Sequence, residues 1–476
     1  MVVGELIETV DLLVVGGGPG GYTAALRAAQ LGRDVVLVEE GAIGGVCLNV
    51  GCIPSKALIE TSRAWHGLGE LAERGVMVAD ASLDRARVRQ SVEAARDRLT
   101  GGVAQLLKAA GVEVVEGRAA FVGANHARVQ SAHEATQVQF RQAVVATGSA
   151  ARRVPGLEVD HEHILDSTDL LFRDAPIERL IVVGGGYIGL ELGAAWARLG
   201  AKVTIVEAMD DVLMGAEPEV RRALRDGLGR LGVEVRTRAV VSSVEAVADG
   251  VVVGIEQGAG VDKLAADVVA VVVGREPRLE PELGLEAAGV AVADGRVVVD
   301  VARRTTNPAI FAIGDITPGP MLAHKAYLEA KVAAEAASGH PSGFDARVIP
   351  AVVFAEPEAA WAGLGEAEAR ARYGSIVVGR FPYRANGRAV AVGSTWGEVK
   401  VIARADGEVV GVWIVGADAS NLISEAALAI EMGATLDDIA LTIHPHPTLS
   451  EMLPEAAEVG LGRPTHIIVR TQSGGR

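Results

Sequence analysis

Apolar residues fall in short runs along this chain, and two of those runs open the same longer pattern. Residues 12–15 and 180–183 each read as a buried strand. A glycine-rich turn follows, then a helical spacing of Ala and Leu, a glycine stop, a second apolar strand and a closing acidic residue. DLLVVGGGPGGYTAALRAAQLGRDVVLVEE, from Asp11, lies over RLIVVGGGYIGLELGAAWARLGAKVTIVEA, from Arg179, without a gap at an offset of 168 positions. Gly16, Gly18 and Gly21 fall on Gly184, Gly186 and Gly189, and Glu39 falls on Glu207. Each copy matches the strand–turn–helix–strand fingerprint of a dinucleotide-binding unit.

The physical roles of these residues are specific. The first glycine permits a tight turn, the second lets the backbone approach a pyrophosphate, and the third lets helix and strand pack closely. The helix N-terminus offers free N–H groups and a positive dipole end. The acidic residue about 20 positions on accepts a hydrogen bond from a ribose hydroxyl. Glu207 would also repel a 2′-phosphate, so the second unit is expected to prefer NAD over NADP. Two intact copies imply two cofactors, or one cofactor and a dinucleotide substrate.

Later segments extend the map. Residues 143–156 read as a strand, a glycine turn and a Pro-containing crossover. Residues 305–315 read as an apolar strand ending at Gly314-Asp315. Residues 324–339 show a helical pattern stopped by glycine, and residues 338–342 look like a linker. From about residue 346 the pattern changes to several strand-like runs and a helix at SEAALAIEMGA.

Composition narrows the class. A chain of 476 residues is long enough for three or four domains. Hydrophobic residues make up 49% and aromatics only 4%, which suits sheets covered by closely packed helices. The formal charge of −16 disfavours nucleic acid and anionic membranes as partners. The first residues lack the basic stretch of a signal peptide, and no apolar run is long enough to span a bilayer. A cytoplasmic protein is the expectation.

The chemistry is concentrated in two places. Cys47 and Cys52 are the chain's only cysteines and lie just after the first repeat. Two thiols five positions apart can close a small, reducible disulfide ring if their Cα atoms come within about 7 Å. Taken alone, the spacing also suits a pair of buried free thiols. No further thiolate or CxxC partner exists, so no metal site is expected. Near the other end, TIHPHPTLSEMLPEAA places His446 five positions before Glu451. A Glu accepting from one imidazole nitrogen raises the basicity of the other, which would make an acid/base for thiol chemistry. A helix-capping turn with incidental histidines fits the same residues.

Across essentially its whole length the chain resembles the flavoprotein disulfide reductases, and among them it is most similar to the dihydrolipoamide dehydrogenases. The carrying motifs are GGGPGGY at 16–22, GGVCLNVGCIPSKAL at 44–58, ATGS at 146–149, GGGYIGLELG at 184–193, AIGD at 312–315, MLAHKA at 321–326 and HPHPTLSE at 444–451. The resemblance implies an α/β fold with two Rossmann-like dinucleotide-binding domains plus a C-terminal α+β dimerisation domain. Residues 1–149 would bind FAD, 150–275 would bind NAD, 276–345 would form a central domain completing the FAD site, and 346–476 would form the interface domain.

The same resemblance implies the site. FAD would be held by Gly16, Gly18, Gly21, Glu39, Lys56, Thr147, Gly148, Asp315, Leu322 and Ala323. NAD would be held by Gly184, Gly186, Gly189, Glu207 and Gly274, with Tyr187 covering the flavin face where nicotinamide enters. The catalytic set would be Cys47, Cys52, His446 and Glu451, with Lys56 and Glu191 paired near the flavin. His446 would reach the cysteine pair of the other subunit, so each site would need a homodimer. The implied partners are dihydrolipoamide on a lipoyl domain and the acyltransferase core of a 2-oxoacid dehydrogenase complex, to which the acidic charge is suited.

Departures from the family pattern occur at Tyr327, Arg278, Asn421 and Ala355, and are expected to bear only on NAD binding and the interface. A glutathione-type reductase shares the fold and cysteine spacing, but Glu207 argues against its NADP. Mercuric and large thioredoxin reductases would carry a C-terminal cysteine pair, which GLGRPTHIIVRTQSGGR lacks. A transhydrogenase would not need Cys47 and Cys52. A non-catalytic, flavin-retaining scaffold subunit remains a different class of reading, against which intact Cys47, Cys52, His446 and Glu451 weigh.

Overall fold

A computed structural model describes residues 7–132 and 134–468. The first glycine repeat builds the centre of a seven-stranded sheet. Its strand Ile7–Val15 pairs in parallel with Val35–Glu39 on one side and Ala135–Val145 on the other. Leu12 and Val14 point into a core with Ala24, Ala25 and Ala28 of the helix Pro19–Gln30. Leu13 and Val15 point into a second core with Phe121 and Phe140. A parallel strand covered on both faces therefore reads as a continuous apolar run rather than an alternating one. The strand begins at Ile7, earlier than the apolar run alone suggests, because its N-terminal half pairs only with the long strand Ala135–Val145.

The sheet is completed from far along the chain. Ile310–Ala312 adds in parallel beside Ala135–Val145, with Ile310 opposite Ala143. This strand is only three residues long, because Thr305 and Asn307 form a hydrogen-bonded turn just before it. The helix Ala323–Ala337 then packs on Pro19–Gln30, and the stretch read as a linker begins at its C-cap, Ser338.

The second repeat forms a five-stranded parallel sheet in the order Glu234–Thr237, Lys202–Glu207, Arg179–Val183, Val268–Val271, Ile164–Leu165. A three-stranded antiparallel meander, Ala239–Val247, Gly250–Gln257 and Gly260–Ala266, stands beside it. Two short strands, Ser149–Ala151 and Arg275–Pro277, pair antiparallel where the chain leaves and re-enters the first fold. The Pro-containing crossover thus holds a strand of its own.

The C-terminal part is a five-stranded antiparallel sheet. Its central strand Val409–Val415 is buried along its whole length. The helices Ala419–Met432 and Met452–Gly460 cover one face and share a core with Phe381, Val401 and Ile414. The architecture is the mixed α/β class implied by the sequence.

Candidate active site

The two glycine loops have the same geometry, and it separates the three glycines by role. Gly16 and Gly184 have φ of +100° and +114°, the region that favours glycine. A Cβ on Gly21 would stand 1.7 Å from the Gly16 carbonyl oxygen, and one on Gly189 would stand 2.0 Å from that of Gly184. Helix and turn therefore touch only because those positions lack side chains. The middle glycines differ. A Cβ on Gly18 would meet only Gly45 Cα, at 3.9 Å, and one on Gly186 would meet nothing within 4 Å. That space is left by the protein on the side facing each cavity, where a pyrophosphate fits.

Each acidic residue closes its own loop. The Gly17 N–H donates to Glu39 Oε2, and the Gly41 N–H donates to Oε1 at 2.8 Å. At the matching place Gly185 and Met209 donate to the two oxygens of Glu207, at 2.6 and 2.7 Å. A carboxylate has about four acceptor sites, so each retains capacity for a ribose hydroxyl.

A cavity of about 580 Å³ runs along the first loop and past the cysteines. Gly16, Gly18, Glu39, Lys56, Thr147, Gly148, Asp315 and Ala323 line it. Of the residues expected to hold FAD, Gly21 and Leu322 stand outside the lining: Gly21 faces the Gly16 carbonyl, and Leu322 is the N-cap of the helix Ala323–Ala337. A second cavity of about 480 Å³ is lined by Gly184, Gly186, Glu207 and Gly274. Gly189 lies outside it for the same steric reason as Gly21. Tyr187 lines both cavities.

The cysteine segment is helical. Cys47 sits in the short helix Gly45–Val50, and Cys52 opens the long helix Cys52–Glu73. Gly51, with a non-helical backbone, separates the two, and a Cβ there would lie 2.9 Å from the Val46 carbonyl oxygen. Both cysteines are free thiols and both line the first cavity. Cys52 is accessible because it faces that cavity. A hydrogen bond from Cys47 is the main cause that lowers its pKa to about 7, and Lys56 adds to it against the cost of burial. Cys47 is pushed up, by the same hydrogen bond and by burial. The free N–H groups at the start of the helix further favour a thiolate at Cys52.

Lys56 follows one turn along that helix. Its Nζ donates to Glu191 Oε2 at 2.8 Å and lies 4.4 Å from the centre of the Phe354 ring. Glu191 is buried on Tyr187–Arg198, and its other oxygen accepts from the Phe354 N–H at 3.0 Å. This pair joins the cysteine helix, the second dinucleotide fold and the C-terminal part in one place.

Asp315 is placed by a buried clamp that joins two of the quoted motifs to Glu329, which lies in neither. The Gly314 N–H donates to Glu329 Oε2 at 2.7 Å, and Lys325 Nζ donates to the Gly314 carbonyl at 2.9 Å. Lys325 and Glu329 are 2% and 0% exposed. Arg303 adds a second cation, 3.1 Å from Glu329. The available signal was a Lys and a Glu four positions apart on the otherwise Ala-rich helix.

His446 Nδ1 lies 2.8 Å from Glu451 Oε1, and the Thr448 N–H donates to Glu451 Oε2 at 2.7 Å. These contacts hold the Glu451 carboxyl below its ordinary pKa although burial opposes them. The Glu therefore orients the imidazole from the residue just before the helix Met452–Gly460. The His446 side chain is 77% exposed and does not line the cavity of the cysteines in its own chain.

Two departures fall nearer the first cavity than expected. Arg278 lines it, pairs with Glu40 and Glu280, and accepts from Thr147 through its carbonyl at 2.7 Å. Tyr327 donates to or accepts from Tyr22 at 2.8 Å and packs in the core that includes Cys47. Both come from beyond residue 275, and the added strand Ile310–Ala312 folds that part of the chain back over the first sheet. Ala355 is buried beside Phe354, and Asn421 hydrogen-bonds to Asp418.

A Gly-loop cavity that holds a dithiol and meets a second Gly-loop cavity at Tyr187 defines a dithiol/disulfide oxidoreductase that works with a dinucleotide. Residues 10–330 match the pyridine nucleotide-disulphide oxidoreductase model, and residues 349–457 match the dimerisation domain of the same group. The chain belongs to the pyridine nucleotide-disulphide oxidoreductases. It is 48% identical over 472 residues to the dihydrolipoyl dehydrogenase of Geobacillus stearothermophilus, covering 99% of this chain and 100% of that one. A dihydrolipoyl dehydrogenase of Haloarcula marismortui is 46% identical, with 98% and 100% covered. Among solved structures, LpdA from Mycobacterium tuberculosis superposes with a TM-score of 0.88 at 29% identity, covering 94% of this chain and 99% of that one. The HOCl-induced flavoprotein disulfide reductase RclA from Escherichia coli gives 0.84 at 26% identity, covering 94% and 99%. No helix among the described residues is long and apolar enough to cross a membrane.

Proposed function

We propose that the chain is a dihydrolipoamide dehydrogenase, which oxidises dihydrolipoamide on a lipoyl domain and reduces NAD to NADH. The observation that carries this is the Cys47–Cys52 pair beside Lys56 and Glu191, in a cavity that meets a second dinucleotide cavity at Tyr187. The open space at Gly18, the volume of the first cavity and Asp315 in its lining fit FAD. Glu207 and the open space at Gly186 fit NAD in the second.

In the working cycle the two cysteines begin as a disulfide. His446 of the partner subunit, oriented by its Glu451, takes a proton from one substrate thiol. The resulting thiolate attacks Cys47, the Cys47–Cys52 bond breaks, and Cys52 leaves as a thiolate. The second substrate thiol loses its proton, attacks the substrate sulfur bonded to Cys47 and closes the lipoamide ring. Cys47 is released, and the protein now holds the two electrons. Lys56 and the helix N-terminus stabilise the charge on Cys52. Bound FAD supplies the route by which that electron pair leaves Cys52 and reaches NAD as a hydride.

This scheme needs two chains, in keeping with the dimerisation domain and with a His446 that stays outside its own cavity. The net charge of −16 favours docking onto a basic region of an acyltransferase core in the cytoplasm. That association should weaken steeply with added salt.

The test is an anaerobic titration of the purified holoprotein with dihydrolipoamide, followed by NAD. A new long-wavelength absorbance band and then NADH are expected. A response to NADPH and glutathione but not to dihydrolipoamide would move the chain to a neighbouring reductase. A protein that takes up no flavin would overturn the reading of the first cavity.

A further inference from the structure

Ser149 ends the ATGS stretch and opens the short strand Ser149–Ala151, which pairs with Arg275–Pro277. It is 8% exposed. Its hydroxyl donates to Asp315 Oδ2 at 2.5 Å and accepts from Arg275 Nε at 2.8 Å. Arg275 Nη2 also donates to the Ser149 carbonyl at 2.6 Å. The direction of this chain is settled by its parts. A guanidinium can only donate, an ionised carboxylate can only accept, and a hydroxyl has one proton to give.

The hydroxyl is what joins the two charges. Among the described residues Arg275 and Asp315 form no direct ion pair. The backbone around Asp315 is held independently, by Arg296 at its own carbonyl and by Lys325 and Glu329 at Gly314. That leaves the carboxylate orientation to Ser149. Ser149, Tyr187, Arg275 and Asp315 all line the first cavity, and Tyr187 is where it meets the second.

We propose that Ser149 is a positioning residue for the redox reaction, whose hydroxyl relays the Arg275 charge onto Asp315 and fixes both at the junction of the two cavities. The inference rests on the reading of the first cavity as the FAD site. One oxygen of Asp315 is then committed to Ser149, and the other is free to accept a hydroxyl of the FAD side chain. The Arg275 cation is held beside Tyr187, where a fixed positive charge favours the electron-rich form of the flavin. Without the hydroxyl, Asp315 keeps a part-buried oxygen with no protein donor and Arg275 Nε loses its acceptor. Both changes weaken FAD binding and make the flavin harder to reduce.

The experiment compares Ser149→Ala and Ser149→Thr with the unsubstituted holoprotein. FAD dissociation is followed by fluorescence, the reduced-to-oxidised flavin ratio is read against a reference dye, and thermal unfolding is recorded alongside. For Ser149→Ala, FAD should bind at least tenfold more weakly, and the flavin ratio at a given dye poise should fall at least fivefold. Ser149→Thr, which keeps the hydroxyl, should restore both to within twofold. An unchanged flavin ratio in Ser149→Ala would overturn the relay, and so would equal losses in the Ala and Thr variants, which would reduce Ser149 to a packing role. Failure of the unsubstituted protein to bind FAD would overturn both this inference and the function it rests on.

Discussion

At matching places in the two glycine loops stand Pro19 and Tyr187, each the first residue of its helix. Proline there sets the helix φ and loses nothing, since the first N–H of a helix has no partner within it. Tyrosine at the same place keeps 40% of its surface exposed and lines both cavities. The loops are otherwise alike, down to the Gly17 and Gly185 N–H groups donated to Glu39 and Glu207. The difference in chemistry comes from what the chain lays over each loop. The first is covered by the cysteine helices and by residues 313–326, and the second by Ala208–Met214. One binding frame serves two tasks because its walls come from different parts of the sequence.

The largest break in this comparison should come from the walls. Cys47→Ser or Cys52→Ser should cut lipoamide-dependent NAD reduction by ~10³-fold or more, since neither variant can cycle through a disulfide. Both loops should still bind dinucleotide, as read by flavin content and by NADH fluorescence. His446→Gln should cost about 10²- to 10⁴-fold in kcat, because it removes only the proton acceptor.

Next come the shared glycines. Gly21→Ala should strip FAD and Gly189→Ala should weaken NAD, each with roughly 3 kcal/mol or more of lost stability, because the added Cβ overlaps a carbonyl oxygen. Equal loss of both ligands in either variant would show that the two units are not independent. Glu207→Gln should then improve the NADP-to-NAD ratio of kcat/KM by about tenfold, by removing a charge that opposes the 2′-phosphate. Glu39→Gln should leave that ratio untouched.

The smallest effect is on pH. Cys52 is lowered to about 7 from an ordinary 9.0, so its thiolate adds a contribution to stability that is complete above about 9 and lost as pH falls through about 7. The ultraviolet thiolate absorbance of the reduced protein should fall over the same interval. Lys56→Met, which removes the neighbouring cation, should move that interval upward.

Much of the fold was legible because it is written in local spacing. The glycine triplets, the strands at 12–15 and 180–183 and the helix near residues 324–339 depend on residues a few positions apart, where period and turn chemistry act directly. The His446–Glu451 contact was legible for the same reason. The helices that carry Cys47 and Cys52 were not legible, because Gly51 separates them after only six residues of the first. Arg278 and Tyr327 were expected to bear only on NAD binding and the interface, and their place beside the first cavity and the Cys47 core is set by packing that no local signal carries.

The sequence by itself determined the two glycine-loop units, the closely spaced Cys47 and Cys52 and the neighbouring His446 and Glu451, because each is encoded within one turn or one short segment. The tertiary structure alone decided the contacts that span the chain. Ser149 meets Asp315 across 166 positions, and Lys56 meets Glu191 across 135, a pair that only the family resemblance announced. Lys325 and Glu329 reach Gly314 only because their helix packs against the first sheet. Such contacts depend on how sheets and helices close on one another, and a charge or hydroxyl in sequence carries no mark of the partner that packing will bring to it.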